Sequence, residues 1–268
     1  MELITTHTHT CFTNHGEGTV EELVSAAVAA GVSTIAVTEH YPMTATFDPD
    51  RYLSMPAERM GEYLAAVEAA REAHPEIEVL VGCEMDWLGD DEDRVITAED
   101  VAPFQLILGS VHLVDRWPFD PAQRGRWDEV GADLIWRRYF EVWCEAVSSD
   151  APFHVMSHPD LAKKFGFYPS FDPQPLYEQA AEACAAAGRM VEVNTSGSYY
   201  ACKEMFPAPA LLAAFCRAGV PCTVGTDAHV PANVARDIEK AYRLMYEAGY
   251  RTVTVPTADG DRRAIAIE

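Results

Sequence analysis

Thr6-His7-Thr8-His9 stands close behind the apolar pair Leu3-Ile4. In a strand, residues two apart point to the same side. Where such a strand ends, His7 and His9 therefore aim two imidazoles at one point, an economical way to place two ligands on one cation. Alone, the His-x-His spacing equally fits two exposed histidines in a loose segment. The rest of the chain weighs against that, because it repeats the same placement.

Short β-branched or apolar runs at 3–6, 33–38, 77–82, 105–110, 153–156, 190–194 and 222–225 read as strands. Longer Ala/Glu/Leu-rich stretches with helical spacing follow them, at 19–30, 56–73, 132–148, 173–187, 208–218 and 234–248, with a weaker one at 92–101. Several helices run to a glycine (Gly31, Gly188, Gly219, Gly249) suited to a left-handed cap. A last strand at 251–255, a turn at Asp259-Gly260 and a polar tail close the chain. Strand-then-helix repetition implies an α/β fold of parallel strands with crossover helices. Seven such units could close as a barrel or lie open. The deciding observation is where the polar residues fall, since in a barrel the chemistry collects at the C-terminal ends of the strands.

His7 and His9 follow the first strand, His40 the second, Glu84 the third, His112 the fourth and His158 the fifth, while Asp227 and His229 follow the seventh. His15 lies in the first loop. Of nine histidines, only His74 and His154 fall outside this set. His154, deeper in its strand, is read as structural and His158 as the ligand. Each position also has a bland reading: His40 as a hydrogen-bonded core histidine, His112 and His158 as strand-end caps, Glu84 and Asp227 as turn or helix-start residues. Together those readings require many coincidences. Imidazole and carboxylate suit zinc, iron and manganese. Seven imidazoles and two carboxylates exceed the needs of one ion, so two or three divalent ions are expected. Two ions close together can share and activate a hydroxide and clamp a phosphoryl oxygen.

The formal net charge of −22 disfavours a polynucleotide partner held by phosphate contacts. It leaves room for a small anionic substrate, because bound divalent cations invert the field locally. Hydrophobic residues at 49% and charged residues at 23% are ordinary globular composition, and one domain over 1–268 is expected. No stretch is long and apolar enough for a membrane span, and no basic-then-apolar leader opens the sequence. Seven cysteines without a Cys-x-x-Cys pair argue against a disulfide framework and for a reducing cytoplasm. Cys11 and Cys83, near proposed ligands, are read as small buried residues rather than thiolate ligands. The oligomeric state is not legible.

His7-Thr8-His9, Thr38-Glu39-His40, Glu84, Ser110-Val111-His112, Ser157-His158-Pro159-Asp160 and Thr226-Asp227-Ala228-His229, in this order, resemble the polymerase-and-histidinol-phosphatase (PHP) family. The resemblance covers most of the chain. It implies a distorted TIM-like barrel of seven βα units with a trinuclear metal site. Trp117-Pro118-Phe119-Asp120, Val191-Glu192-Val193-Asn194-Thr195-Ser196-Gly197 and Pro207-Ala208-Pro209 are similar to the stand-alone histidinol-phosphatases. By the same resemblance, His7, His9, Glu84 and Asp227 hold one metal. Glu84 bridges to a second held by His112 and His158, and His15, His40 and His229 hold the third. The implied reaction is hydrolysis of a small phosphate monoester, L-histidinol phosphate, to the alcohol and phosphate. After Gly197 the sequence departs: Ser198-Tyr199-Tyr200-Ala201-Cys202-Lys203 stands where those phosphatases usually show a short basic stretch.

Around the rim, Arg116 and Lys163 or Lys164 are candidate phosphate donors, and Asp160 is a candidate acid for the leaving alcohol. Glu204, Asp115 and the Tyr199-Tyr200 pair are candidates for the amine and imidazole of histidinol. Other readings are a phosphoesterase acting on a nucleotide, a metal-dependent amidohydrolase, and a non-catalytic metal-binding barrel. The amidohydrolase reading suffers because a histidine, His112, stands after the fourth strand where those barrels carry a modified Lys or a Glu. The non-catalytic reading suffers because the ligand set looks complete.

Overall fold

Seven parallel strands pair in chain order: β1 (Leu3–Thr5), β2 (Val32–Val37), β3 (Glu78–Asp86), β4 (Leu106–Ser110), β5 (Val155–Met156), β6 (Met190–Asn194) and β7 (Cys222–Gly225). The computed structural model describes residues 1–89, 96–119 and 121–268. The sheet curls until its ends meet. Thr6 N–H donates to the Val224 carbonyl at 2.9 Å, Asp227 N–H to that of His7 at 2.9 Å, and His9 N–H to that of Ala228 at 2.8 Å. The result is the nearly closed, distorted barrel expected from the seven units, with helices between the strands.

Those helices are α1 (Val20–Ala29), α2 (Met60–Ala73), α3 (Ala98–Val101), α4 (Arg126–Val130), α5 (Ala132–Ser148), α6 (Gln174–Ala187), α7 (Pro209–Arg217) and α8 (Ile238–Ala248). Helix α1 starts where Thr19 and Glu22 cap each other: the Thr19 hydroxyl accepts from Glu22 N–H at 3.1 Å, and Glu22 accepts from Thr19 N–H at 2.7 Å. Helix α6 ends on Gly188 in the left-handed conformation.

Strand alternation sorts the side chains into two layers. On β3, Val79, Val81, Cys83 and Met85 pack outward with the large core that includes helix residues such as Val67 and Tyr63. Leu80 faces inward and joins Ala36, Leu106, Leu108, Val155 and Met190 in a small separate cluster, the apolar floor of the barrel. The inward positions above that floor turn polar: Glu84 and Asp86 on β3, Glu192 and Asn194 on β6, all buried. The same parity carries Thr5, His7 and His9 inward along the first strand and its extension. Tyr63, fully buried on α2, ties this wall together by donating to the carbonyls of Val37 (2.7 Å) and Gly82 (2.6 Å).

Several elements differ from the sequence expectation. Strand β3 runs to Asp86 rather than residue 82, because Glu84 and Asp86 continue the ladder opposite Leu108 and Ser110. Helix α8 begins at Ile238 rather than 234: Asp237 adopts φ +62° and interrupts the path from the preceding 3-10 turn Pro231–Asn233. The polar tail is a strand. Thr252–Pro256 (β8) and Arg262–Ala266 (β9) pair antiparallel, and Ile265 and Ile267 are buried. Of the weak helix expected at 92–101, residues 92–95 lie outside the described residues, as does Asp120. Among the described residues no helix is long and apolar enough to cross a membrane.

Candidate active site

Glu84, at the inward face of β3, is the hub. Its Oε2 lies 3.1 Å from His40 Nδ1, 3.2 Å from His7 Nε2 and 3.3 Å from His9 Nε2. Its Oε1 lies 2.9 Å from His158 Nε2 and 3.5 Å from His112 Nε2, and accepts from the Ser110 hydroxyl at 2.6 Å. Asp227 comes in from the opposite strand end: Oδ1 is 3.3 Å from His9 Nε2, 3.6 Å from His7 Nε2 and 3.5 Å from His229 Nδ1. Its Oδ2 accepts from the Ser196 hydroxyl at 3.1 Å. His15 completes the ring from the first loop, its imidazole 4.9 Å from that of His229 and 5.2 Å from that of His40. All nine residues singled out for metal binding thus surround one point, and three overlapping triads hold potential ligand atoms within 4.8 Å of one another: His7/His9/Glu84, His40/Glu84/His112 and His9/His40/His229.

The donor chemistry fits divalent cations. His7 Nδ1 donates to Glu192 at 2.9 Å and His112 Nδ1 to Asp86 at 2.9 Å. His15 Nδ1 donates to the Tyr52 carbonyl at 3.2 Å and His229 Nδ1 to the Asp227 carbonyl at 3.0 Å. In each ring Nδ1 thereby carries a proton and Nε2 is the atom free to coordinate a cation. Two ring nitrogens, His7 Nε2 and His9 Nε2, stand 3.0 Å apart in a fully buried setting. Ring nitrogens brought that close, with two carboxylates beside them, match the needs of a shared cation.

The cluster polarises its own members. Burial opposes charge on His7, but Glu192, Glu84 and Asp227 outweigh it and raise that imidazole well above the usual histidine range. Burial opposes charge on Glu84 too, yet His7, His40 and His112 hold its carboxyl well below the usual range. His229 is pushed down to about 3, chiefly by burial and then by the neighbouring His9, so its ring stays neutral.

Two positions of the cluster sit on strained backbone: His158 at φ +25° and Asp227 at φ +51°. Left-handed geometry costs a side-chain-bearing residue about 1–2 kcal/mol, and it persists only where the surroundings enforce it. Here His158 N–H donates to Glu192 Oε2 at 3.0 Å, and the His7 carbonyl holds Asp227 N–H.

Glu192, Asp86 and Glu39 received no role from the sequence, yet they position residues of the cluster. Glu192 grips His7 and His158 together. Glu39 accepts four bonds, from the N–H and hydroxyl groups of Thr10 (both 2.7 Å) and Thr13 (3.0 and 2.6 Å), and so pins the loop between His9 and His15. The available signal was a carboxylate at the inward parity of an apolar strand, as in Val191-Glu192-Val193.

Above the cluster opens a cavity of about 450 Å³, walled by Met43, Tyr52, Phe119, Leu161, Tyr200 and Arg236 among others. Residues 5–196 match the PHP domain, well over half of the chain. The chain belongs to the PHP family. A probable histidinol-phosphatase of Deinococcus radiodurans is 32% identical over 255 residues, covering 94% of this chain and 96% of that protein. A histidinol-phosphatase of Lactococcus lactis is 22% identical over 256 residues, covering 93% of each. Among solved structures, histidinol phosphate phosphatase from Lactococcus lactis, complexed with zinc, L-histidinol and phosphate, shares the fold at a TM-score of 0.81 and 22% identity, covering 98% of this chain and 99% of that one.

The rim of this PHP site differs from the sequence expectation. Arg116 is exposed and points to a separate small cavity, its guanidinium 5.3 Å from the Phe47 ring. Lys163 is fully buried. Its Nζ donates to Glu204 at 2.6 Å and to the Met205 carbonyl at 2.8 Å, and lies 3.0 Å from Asp160 Oδ2. Asp160, also fully buried, accepts from Ala208 N–H at 2.7 Å at the start of α7. The buried Lys163 and Asp160, with the half-buried Glu204, are therefore a clamp between two loops, not groups on the cavity wall. Asp115 pairs with Arg138 at 2.9 Å. The cations that line the cavity are Lys164 and Arg236, and Tyr199 and Tyr200 line it as expected. Cys83 packs outward in the core and Cys11 is exposed. His154 lies at the N-terminal side of β5, where its Nδ1 accepts from Ile107 N–H at 3.1 Å, a structural role.

Lys163→Met is expected to cost about 3–5 kcal/mol, because it strands the buried Asp160 carboxylate. Urea unfolding measures it, and a loss below about 1 kcal/mol, typical of an exposed pair, contradicts the clamp.

Proposed function

We propose that this PHP-family chain is a divalent-metal-dependent phosphomonoesterase whose substrate is L-histidinol phosphate. The observation that carries the proposal is the gathering of seven imidazoles around Glu84 and Asp227 beneath a cavity sized for a small molecule. In this reading His7, His9, Glu84 and Asp227 hold one cation, Glu84 is shared with a second on His112 and His158, and His15, His40 and His229 serve a third. Bound zinc, iron or manganese supplies Lewis acidity to the phosphoryl group and lowers the pKa of water.

The chain's own residues set up that chemistry. Glu192 and Asp86 hold His7 and His112 with the proton on Nδ1, so that Nε2 is ready to coordinate. Ser196 and Asn194 orient Asp227, with Asn194 Nδ2 3.4 Å from Asp227 Oδ2. Phe119, Leu161 and Met43 wall off water from the bound ester. Lys164 Nζ, 4.7 Å from the Tyr200 ring, places positive charge at the wall for an anionic substrate. L-histidinol phosphate comes from the relatives: the Deinococcus protein is named a probable histidinol-phosphatase, and the Lactococcus structure holds histidinol and phosphate. A second reading, another small monoester such as a nucleotide, is favoured by the Tyr199-Tyr200 pair, whose rings offer stacking surface where a basic stretch is usual. One domain acting in the cytoplasm on a small molecule, without a polynucleotide or membrane partner, fits either.

The test is kcat/KM for L-histidinol phosphate beside nucleoside and sugar monophosphates on metal-loaded protein. A preference of about 10²-fold or more, worth roughly 3 kcal/mol, is expected. Equal or better turnover of nucleotides gives the site to the second reading.

A further inference from the structure

Arg236 belongs to no ligand set, yet the fold takes care to place it. It lies between the 3-10 turn Pro231–Asn233 and α8, and it lines the cavity. Its carbonyl accepts from the Thr195 hydroxyl at 2.9 Å and its N–H donates to the Asn233 carbonyl at 3.0 Å, so the backbone is fixed from the end of β6. Its guanidinium carbon sits 3.7 Å from the centroid of the Tyr199 ring. That ring is itself anchored, the Tyr199 hydroxyl donating to Asp237 Oδ2 at 2.7 Å while Asp237 Oδ1 meets Lys240 Nζ at 2.6 Å.

Against this scaffold one group stands out. Arg236 Nε is buried and has no hydrogen-bond partner among the described residues. A buried donor left unsatisfied forfeits its hydration without return, and such groups are uncommon in folded proteins. A guanidinium is a rigid planar fork matched to carboxylate and phosphate oxygens. Stacking on an aromatic face holds the fork in one plane without consuming its N–H groups. The backbone of Arg236 is held, its guanidinium is stacked, its Nε lacks a partner among the described residues, and the space it borders is the cavity.

We propose that Arg236 is the group through which this site grips the anionic end of its substrate, its guanidinium N–H groups donating to non-bridging oxygens of the phosphoryl group. The proposal rests on the phosphomonoesterase reading and deepens it. The loop 198–203 supplies the ring and the segment before α8 supplies the charge. The Tyr199–Asp237 bond then makes the position of the charge depend on both.

The experiment is calorimetric titration of inorganic phosphate, and separately of L-histidinol, into metal-loaded wild type, Arg236→Gln and Arg236→Lys. Arg236→Gln is expected to weaken phosphate binding by about 10–100-fold, the worth of a charge-assisted bond, with L-histidinol affinity and melting temperature unchanged. Arg236→Lys is expected to recover part of the loss, because the charge stays while the fork is gone. In turnover the defect appears in KM more than in kcat. Three outcomes overturn the proposal: unchanged phosphate affinity in Arg236→Gln, equal losses for phosphate and L-histidinol, or no phosphate binding by the wild type. Failure of the substrate assignment is distinguishable. If the wild type binds phosphate through Arg236 but does not hydrolyse L-histidinol phosphate, the grip stands and the named substrate falls.

Discussion

Glu84→Gln is expected to lower phosphate release by about 10²–10⁴-fold, the effect of removing one partner from a buried charged cluster at about 3–5 kcal/mol. Five imidazole nitrogens lie within 3.5 Å of this carboxylate: those of His7, His9, His40, His112 and His158. Glutamine keeps the shape and one acceptor oxygen. It replaces the other oxygen with an NH₂ group that turns donor hydrogens toward the space a cation would take, and it removes the negative charge that two ions would share in the proposed ligand set. Metal per chain by elemental analysis is therefore expected to fall together with activity, while far-ultraviolet circular dichroism stays unchanged. A variant with a full metal complement and activity within about tenfold of wild type, roughly 1.4 kcal/mol, contradicts the role of Glu84 as the shared ligand.

Gly225→Ala, a change of one methyl group at the end of β7, is expected to be nearly as damaging. A Cβ there would fall on the Glu192 carboxylate and 2.5 Å from His7 Cβ. Neither neighbour is at a flexible end. Glu192 Oε1 holds His7 Nδ1, and Oε2 accepts from His158 N–H at 3.0 Å and from Asn194 Nδ2 at 3.1 Å. Relief requires Glu192 to leave, which frees the His7 imidazole and the His158 backbone N–H at once. Overpacking costs about 1–3 kcal/mol, and loss of the outer carboxylate costs metal affinity about 10–100-fold. Glu192→Gln separates the two effects: it is expected to weaken metal binding by that factor without the steric penalty in melting temperature. Wild-type stability and metal content in Gly225→Ala contradict the tight fit of Glu192 against this glycine.

Much of this architecture was legible in the sequence, for a simple reason. Parallel strands with crossover helices bring every strand's C-terminal end to one face, so residues placed after successive strands must converge. That rule located His7, His9, His40, Glu84, His112, His158, Asp227 and His229, with His15 from the first loop. It was silent on the groups that hold them. Asp86 and Glu192 are inward residues within strands, and β3 was expected to stop before either Glu84 or Asp86. Lys163 and Lys164 show a finer limit: adjacent in sequence, one is buried against Asp160 and Glu204 while the other lines the cavity, a choice made by the 3-10 turn Leu161–Lys163. Arg236 escaped notice because the expected helix began at 234. Asp237 in a left-handed conformation breaks that path and lets the arginine face the site. The tail strand Arg262–Ala266 was hidden by its charge; Ile265 and the following Ile267 are buried, and Arg263 donates to the Thr34 hydroxyl at 2.9 Å.

The most direct measurement is phosphate release from L-histidinol phosphate by chelator-stripped protein as zinc or manganese is added back. The account predicts negligible release from the stripped chain and recovery that levels off at two to three ions per chain. Release that survives chelation, or metal-loaded protein that frees no phosphate from any monoester, would contradict it.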